Sequence, residues 1–127
     1  MTTETPAALL RRAAEHLRTR ASEATPGPWE YDGNPSGAVT AAPYARPVAS
    51  ACNRGLATNT ANARHIAAMH SGVGLALADW LQAAADMAEA YPEMAHDHDR
   101  PACEDYACDV MGRAIETARV VLGGVAE

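Results

Sequence analysis

Four residues near the C-terminal third could bind a soft metal: His96, His98, Cys103 and Cys108. Two imidazoles and two thiols within thirteen residues form an N/S donor set suited to tetrahedral zinc. The run His96-Asp97-His98 could orient both rings from one loop. Asp97, Asp99, Glu104 and Asp105 stand close enough in sequence to support them from behind. The spacing matches no standard finger, because one residue separates the histidines and four separate the cysteines. Such a site with all four ligands filled would be structural. Cys108 also falls on an apolar helical stripe, where a thiol serves equally well as a small core residue.

A second constellation could hold an anion. Arg54, Thr58, Asn59, Asn62 and Arg64 place a hydroxyl, two amides and two guanidiniums around an expected helix start, with Gly55 and Thr60 beside them. Unpaired N–H groups and the helix dipole favour negative charge at such a point, and a nucleotide phosphate is the natural guess. Capping residues of the same kinds begin most helices, so a capped helix with solvated arginines explains the same letters. There is no lysine in the chain, which removes Schiff-base chemistry and the phosphate-loop lysine. Ser71-Gly72 lacks the preceding glycine of a nucleophile elbow, and His65 and His70 are five apart, off the zinc-protease spacing. These features point away from an enzyme.

The elements that would carry these residues are mostly helical. Alanine supplies 30 of 127 residues, whereas Leu, Ile, Val and Phe together supply 17. Alanine favours helix, but so few large apolar side chains predict thin helices around a small core. A helix is expected over 6–24, capped by Thr5 and opened by Pro6, with Leu10, Ala13, Ala14, Leu17, Ala21 and Ala24 on one face. Residues 25–58 carry the turn signals Asp32-Gly33-Asn34-Pro35-Ser36-Gly37, Pro43 and Pro47. Between them the alternations Trp29/Tyr31, Val39/Ala41 and Val48/Cys52 predict a small antiparallel sheet, its prolines at edges or bulges.

A broken helix pair is expected over 59–91. Thr58, Asn59 or Thr60 would cap its first member, Ser71-Gly72 would break it, and Leu77, Leu81, Ala84, Ala88 and Tyr91 would form the buried stripe of the second. An acidic loop over 92–104 and a last helix over 105–122 complete the chain. That helix buries Cys108, Met111, Ile115, Ala118 and Leu122, and it stops at Gly123-Gly124. The expected class is α+β: one domain of about four helices around a small irregular sheet.

Two segments resemble known proteins. Thr25-Pro26-Gly27-Pro28-Trp29, followed about thirty residues later by Ala61-Asn62-Ala63-Arg64-His65-Ile66-Ala67-Ala68, is similar to small accessory proteins of tailed phages and prophages, the Ead-like proteins among them. Actinobacterial members look especially close, and they tend to end in a helix like Ala114–Gly123. The chain departs from their pattern at Ser71-Gly72-Val73-Gly74, where the family carries a proline. The resemblance touches about a third of the chain and implies provenance, not a reaction. The motif itself has a physical explanation: two prolines and a glycine set a sharp turn from helix into sheet, and Trp29 fills a core that has no phenylalanine.

Charge narrows the partners. The net charge of -6 and pI near 5.3 argue against general nucleic-acid binding. Eight carboxylates and one arginine lie between Asp86 and Asp109. Such a run could mimic nucleic acid against a host protein, but it more commonly marks a solvated face. No signal-like or membrane-spanning segment is seen, and three cysteines suit no secreted disulfide framework, so the cytoplasm is expected. The leading expectation is a non-catalytic accessory protein that binds a host protein or small ligand. The alternatives are sequestration of an anionic nucleotide-like ligand by the Arg54–Arg64 segment and a zinc-stabilised interaction module. A homodimer through the alanine-rich face of residues 73–91 would enlarge the small core.

Overall fold

The computed structural model describes residues 4–50, 56–94 and 106–123. Along the chain run α1 (Pro6–Glu23), β1 (Trp29–Glu30), β2 (Ala38–Ala41), β3 (Arg46–Ser50), α2 (Leu56–Ala68), α3 (Ser71–Ala90), a 3-10 turn (Pro92–Met94) and α4 (Tyr106–Gly123). The class is α+β, as the sequence predicts. The chain forms two compact units, one from Met1–Arg18 with Leu77–Glu127 and the other from Thr19–Ala76. Helices α1 and α3 contribute residues to both.

The first unit is helical. Thr5 caps α1, its Oγ1 accepting from the Ala8 amide at 3.1 Å. Leu10, Ala13 and Ala14 of α1 are buried against Leu81, Ala85 and Ala88 of α3 and Met111, Ala114, Ile115 and Ala118 of α4. The stripes of α1 and α4 follow the predicted period, with Leu17, Ala21 and Leu122 half-buried, Ala24 past the end of α1, and Ala114 buried as well. On α3 the buried line is Ala78, Leu81, Ala85 and Ala88, while Leu77 and Ala84 are half-buried and Tyr91 is exposed. The expected stripe is therefore rotated toward the smaller residues: alanine lets the neighbouring backbones approach, and the larger Leu77 and Tyr91 sit beside that seam.

Ion pairs border this core. Arg11 reaches across to Glu89 and, at 3.4 Å, to Asp86, while Arg18 meets Glu15 at 3.5 Å and Asp79 at 3.6 Å. Asp109 and Arg113 pair within α4 at 3.3 Å. All are partly solvated, so each contributes little stability on its own.

The second unit holds the sheet, ordered β1-β2-β3 and antiparallel throughout. Val39 and Ala41 of β2 point into the core and are almost fully buried. On β3, Ala49 pairs with Val39 and Pro47 with Thr40, which leaves Val48 as the extra residue of a bulge. Pro47 thus stands at a bulge on an edge strand, a position where sheets tolerate proline. The turn into β2 is organised by Asn34. Its Oδ1 accepts from the Ala38 amide at 2.9 Å and the Ser36 hydroxyl at 2.6 Å, and its Nδ2 donates to Asp32 Oδ1 at 2.7 Å. Gly37 adopts φ 70° there, and Ala45 adopts φ 50° in the turn from β2 to β3. Among the described residues, no helix is long and apolar enough to cross a membrane.

Candidate functional site

The motif TPGPW and the start of α3 form one knot in the second unit. The Thr25 carbonyl accepts two side-chain donors, Trp29 Nε1–H at 2.8 Å and Ser71 Oγ–H at 2.9 Å. Ser71 is the buried polar residue of α3, and this bond satisfies it. His70 precedes α3 as its cap: its Nδ1 accepts from the Gly72 amide at 3.0 Å and its carbonyl accepts from Val73 at 2.9 Å. The ring fits between two glycines. A Cβ on Gly27 would lie 2.5 Å from His70 Nδ1, and one on Gly72 would lie 2.7 Å from His70 Cε1.

Trp29 is half-buried and packs with Tyr31, Val48, Ile66 and Ala67 around Val39 and Ala63. The two segments that carry the sequence resemblance, TPGPW and NARHIAA, therefore meet in one cluster. Their residues have structural work there: a turn, a hydrogen-bonded indole, and an alanine small enough to let α2 lie against the sheet. This corrects the expectation of a break at Ser71-Gly72. The helices part at Met69-His70, and Ser71-Gly72 form the first turn of α3. Histidine caps as serine or asparagine would, because a ring nitrogen can accept from the second free amide.

The expected anion-binding residues are spread along α2. Arg54 lies outside the described residues. Helix α2 is already formed at Leu56, so Thr58 and Asn59 belong to helix and do not precede it as caps. Asn62 and Arg64 are exposed. Two residues apart on a helix they point away from each other, and Arg64 stands about 12 Å along the axis from Leu56. Tyr31 OH, by contrast, reaches the Thr60 hydroxyl at 3.4 Å, tying this side of α2 to the sheet.

Of the expected zinc ligands, His96, His98 and Cys103 lie outside the described residues. Cys108 is buried on the inner face of α4, in line with Met111 and Ile115.

The first unit carries a feature that the periodicity of α3 contains but that is masked by its main stripe. Trp80, Ala83, Ala84 and Met87 recur at steps of three and four residues, forming a second apolar line beside the buried one. Ala107, Val110, Met111 and Ala114 do the same on α4, and Met94 adds to the lining. Together they line an open groove of about 450 Å³. Its walls are apolar, yet Trp80 is 40% exposed, Met87 44% and Val110 55%. These large apolar side chains form a contiguous exposed patch. A second depression of about 520 Å³ lies by Thr5, Pro6, Ala88 and Pro92, but its guanidinium, Arg11, is already engaged by Glu89. No family model, curated protein or solved structure matches the chain.

Proposed function

We propose that this chain is a non-catalytic accessory protein of the phage or prophage kind, and that it works by binding another protein through the α3–α4 groove. The observation that carries this reading is the groove itself. Its lining residues are Trp80, Ala83, Ala84, Met87, Met94, Ala107, Val110, Met111 and Ala114. None of these described residues is ionisable, and an apolar surface of this kind suits a binding partner. Tryptophan and methionine are the residue types that anchor protein interfaces, methionine because it repacks against differently shaped partners. The similarity in TPGPW and NARHIAA supports the provenance.

The experiment is capture of a partner from host cells by the wild-type chain, by Val110→Glu and by Arg64→Ala. A protein retained by the wild type and by Arg64→Ala but lost with Val110→Glu is the expected result. Retention by Val110→Glu and loss with Arg64→Ala would transfer the function to α2 and revive an anionic ligand there.

A further inference from the structure

The rim of the groove narrows the kind of partner, and this step rests on the protein-binding reading above. Helix α3 carries Asp79, Asp86 and Glu89 and no basic residue. Asp79 and Asp86 immediately precede Trp80 and Met87. They also flank Ala83 at four and three residues, so they border the α3 edge of the groove, with their carboxylates turned toward Arg18 and Arg11 of α1. Glu93 precedes Met94, a further lining residue. On the α4 side, Asp109 precedes Val110 and is met by Arg113. Among the described residues, Gln82 donates to Asp86 at 3.1 Å, and the guanidiniums of Arg11 and Arg18 of α1 pair with the α3 carboxylates. They reach Asp86 and Asp79 at the long distances of 3.4 and 3.6 Å while also engaging Glu89 and Glu15. Two guanidiniums shared among four carboxylates, Asp79, Asp86 and Glu89 of α3 and Glu15 of α1, leave this flank net negative, in a chain whose net charge is already -6.

This charge discriminates among occupants. A second copy would bring the same acidic rim against itself, and an anionic lipid surface would be repelled in the same way. Residues 95–105 of the chain bring four carboxylates, Asp97, Asp99, Glu104 and Asp105, against one arginine, Arg100, and no Leu, Ile, Val, Met, Phe, Tyr or Trp. The length of the groove suits a helix. From Trp80 to Met87 is two turns, about 10 Å, which admits side chains spaced i, i+3 or i+4, and i+7.

We propose that the α3–α4 groove docks a basic amphipathic helix of a partner protein, its apolar stripe on Trp80, Met87 and Val110 and its Lys or Arg flanks beside Asp79 and Asp86. The probe is a synthetic Leu/Ala helix of about 18 residues with lysines on its polar face. Its twin carries glutamates in their place. Neither contains an aromatic residue, so a blue shift of tryptophan emission comes from Trp29 or Trp80, its loss in Trp80→Phe assigns it to Trp80, and calorimetry gives the affinity.

The lysine peptide is expected to bind at least about tenfold more tightly than the glutamate peptide, with the gap closing in high salt. Val110→Glu and Met87→Glu, both at exposed positions and checked for fold by circular dichroism, should abolish binding. The pair Asp79→Asn with Asp86→Asn should weaken the lysine peptide about five- to tenfold and leave the glutamate peptide no weaker.

Equal binding of both peptides, still lost with Val110→Glu, would overturn the basic partner and leave the groove as a protein-binding site. Lysine-peptide binding that survives Val110→Glu and Met87→Glu would overturn the groove as its seat. Binding of neither peptide would overturn both readings. Self-association in sedimentation that Val110→Glu abolishes would hand the groove to a second copy.

Discussion

Asp32 shows how far one residue's letters determine its surroundings. In the run Asp32-Gly33-Asn34 the carboxylate sits two residues before an amide, the geometry in which an aspartate folds back on its own turn. Its Oδ1 accepts from Asn34 Nδ2 at 2.7 Å and from the Asn34 backbone N–H at 3.0 Å. These donors prefer the ionised form, the side-chain amide most of all, and they hold the carboxyl below its ordinary value of 3.8. A lowered folded pKa contributes stability above the ordinary value, and that contribution is lost as pH falls through the lowered one. The urea midpoint of the wild type should therefore slip between about pH 5 and about pH 2 more than that of Asp32→Asn, which keeps an acceptor but cannot ionise. Identical acid limbs for the two proteins would show that the turn does not depend on the charge. This part of the fold was readable from the sequence because its donors and acceptors are two to four residues apart.

At the scale of elements, the helix break shows the opposite case. Ser71-Gly72 reads as a break, since serine and glycine interrupt helical pattern. In the structure the residue that matters is His70, and what places it is Gly27, more than forty residues earlier. The ring has room only because two positions lack a Cβ. Gly27→Ala should cost about 1–3 kcal/mol in chemical denaturation, because the new methyl meets the stiff ring. His70→Ala should remove the cap but relieve that clash. In a double-mutant cycle the two changes should then couple, with the pair less destabilised than the sum of the singles. Strict additivity would mean that ring and turn do not meet. The same tertiary logic rotates the buried stripe of α3 onto Ala78, Leu81, Ala85 and Ala88. Periodicity states that α3 has an apolar face; the size of the neighbour's side chains decides which residues form the seam and which, like Trp80 and Met87, are left beside it.

For the whole molecule the governing quantity is the scarcity of large apolar residues. Leu10, Leu81 and Val39 are the largest fully buried side chains among the described residues, and alanine makes most of the remaining core. In so thin a core one leucine is a large share of the apolar volume. Leu81→Ala, between α1 and α4, should lower unfolding free energy by about 2–5 kcal/mol, and thermal melting should show whether the helical unit survives it. A loss under about 1 kcal/mol would mean that the seam collapses onto the space and that Leu81 is not its keystone. Against this scarcity, three large apolar side chains left on an open groove are costly to keep in water, which is why the groove and not the helix termini anchors the functional reading.

By itself the sequence determined what local rules govern: the helical and α+β character, the Thr5 cap, the Asn34 turn, the alternation of Val39 and Ala41, and the inner faces of α1 and α4. Each depends on residues within a few positions of one another, or on a period that a single helix or strand imposes. Only the tertiary structure decided that TPGPW and NARHIAA share a cluster, that His70 caps α3 under Gly27, and that Trp80, Met87 and Val110 form one exposed surface. Those are contacts between segments distant in sequence. Their energies depend on how closely two backbones approach, a property that spacing along one chain does not contain.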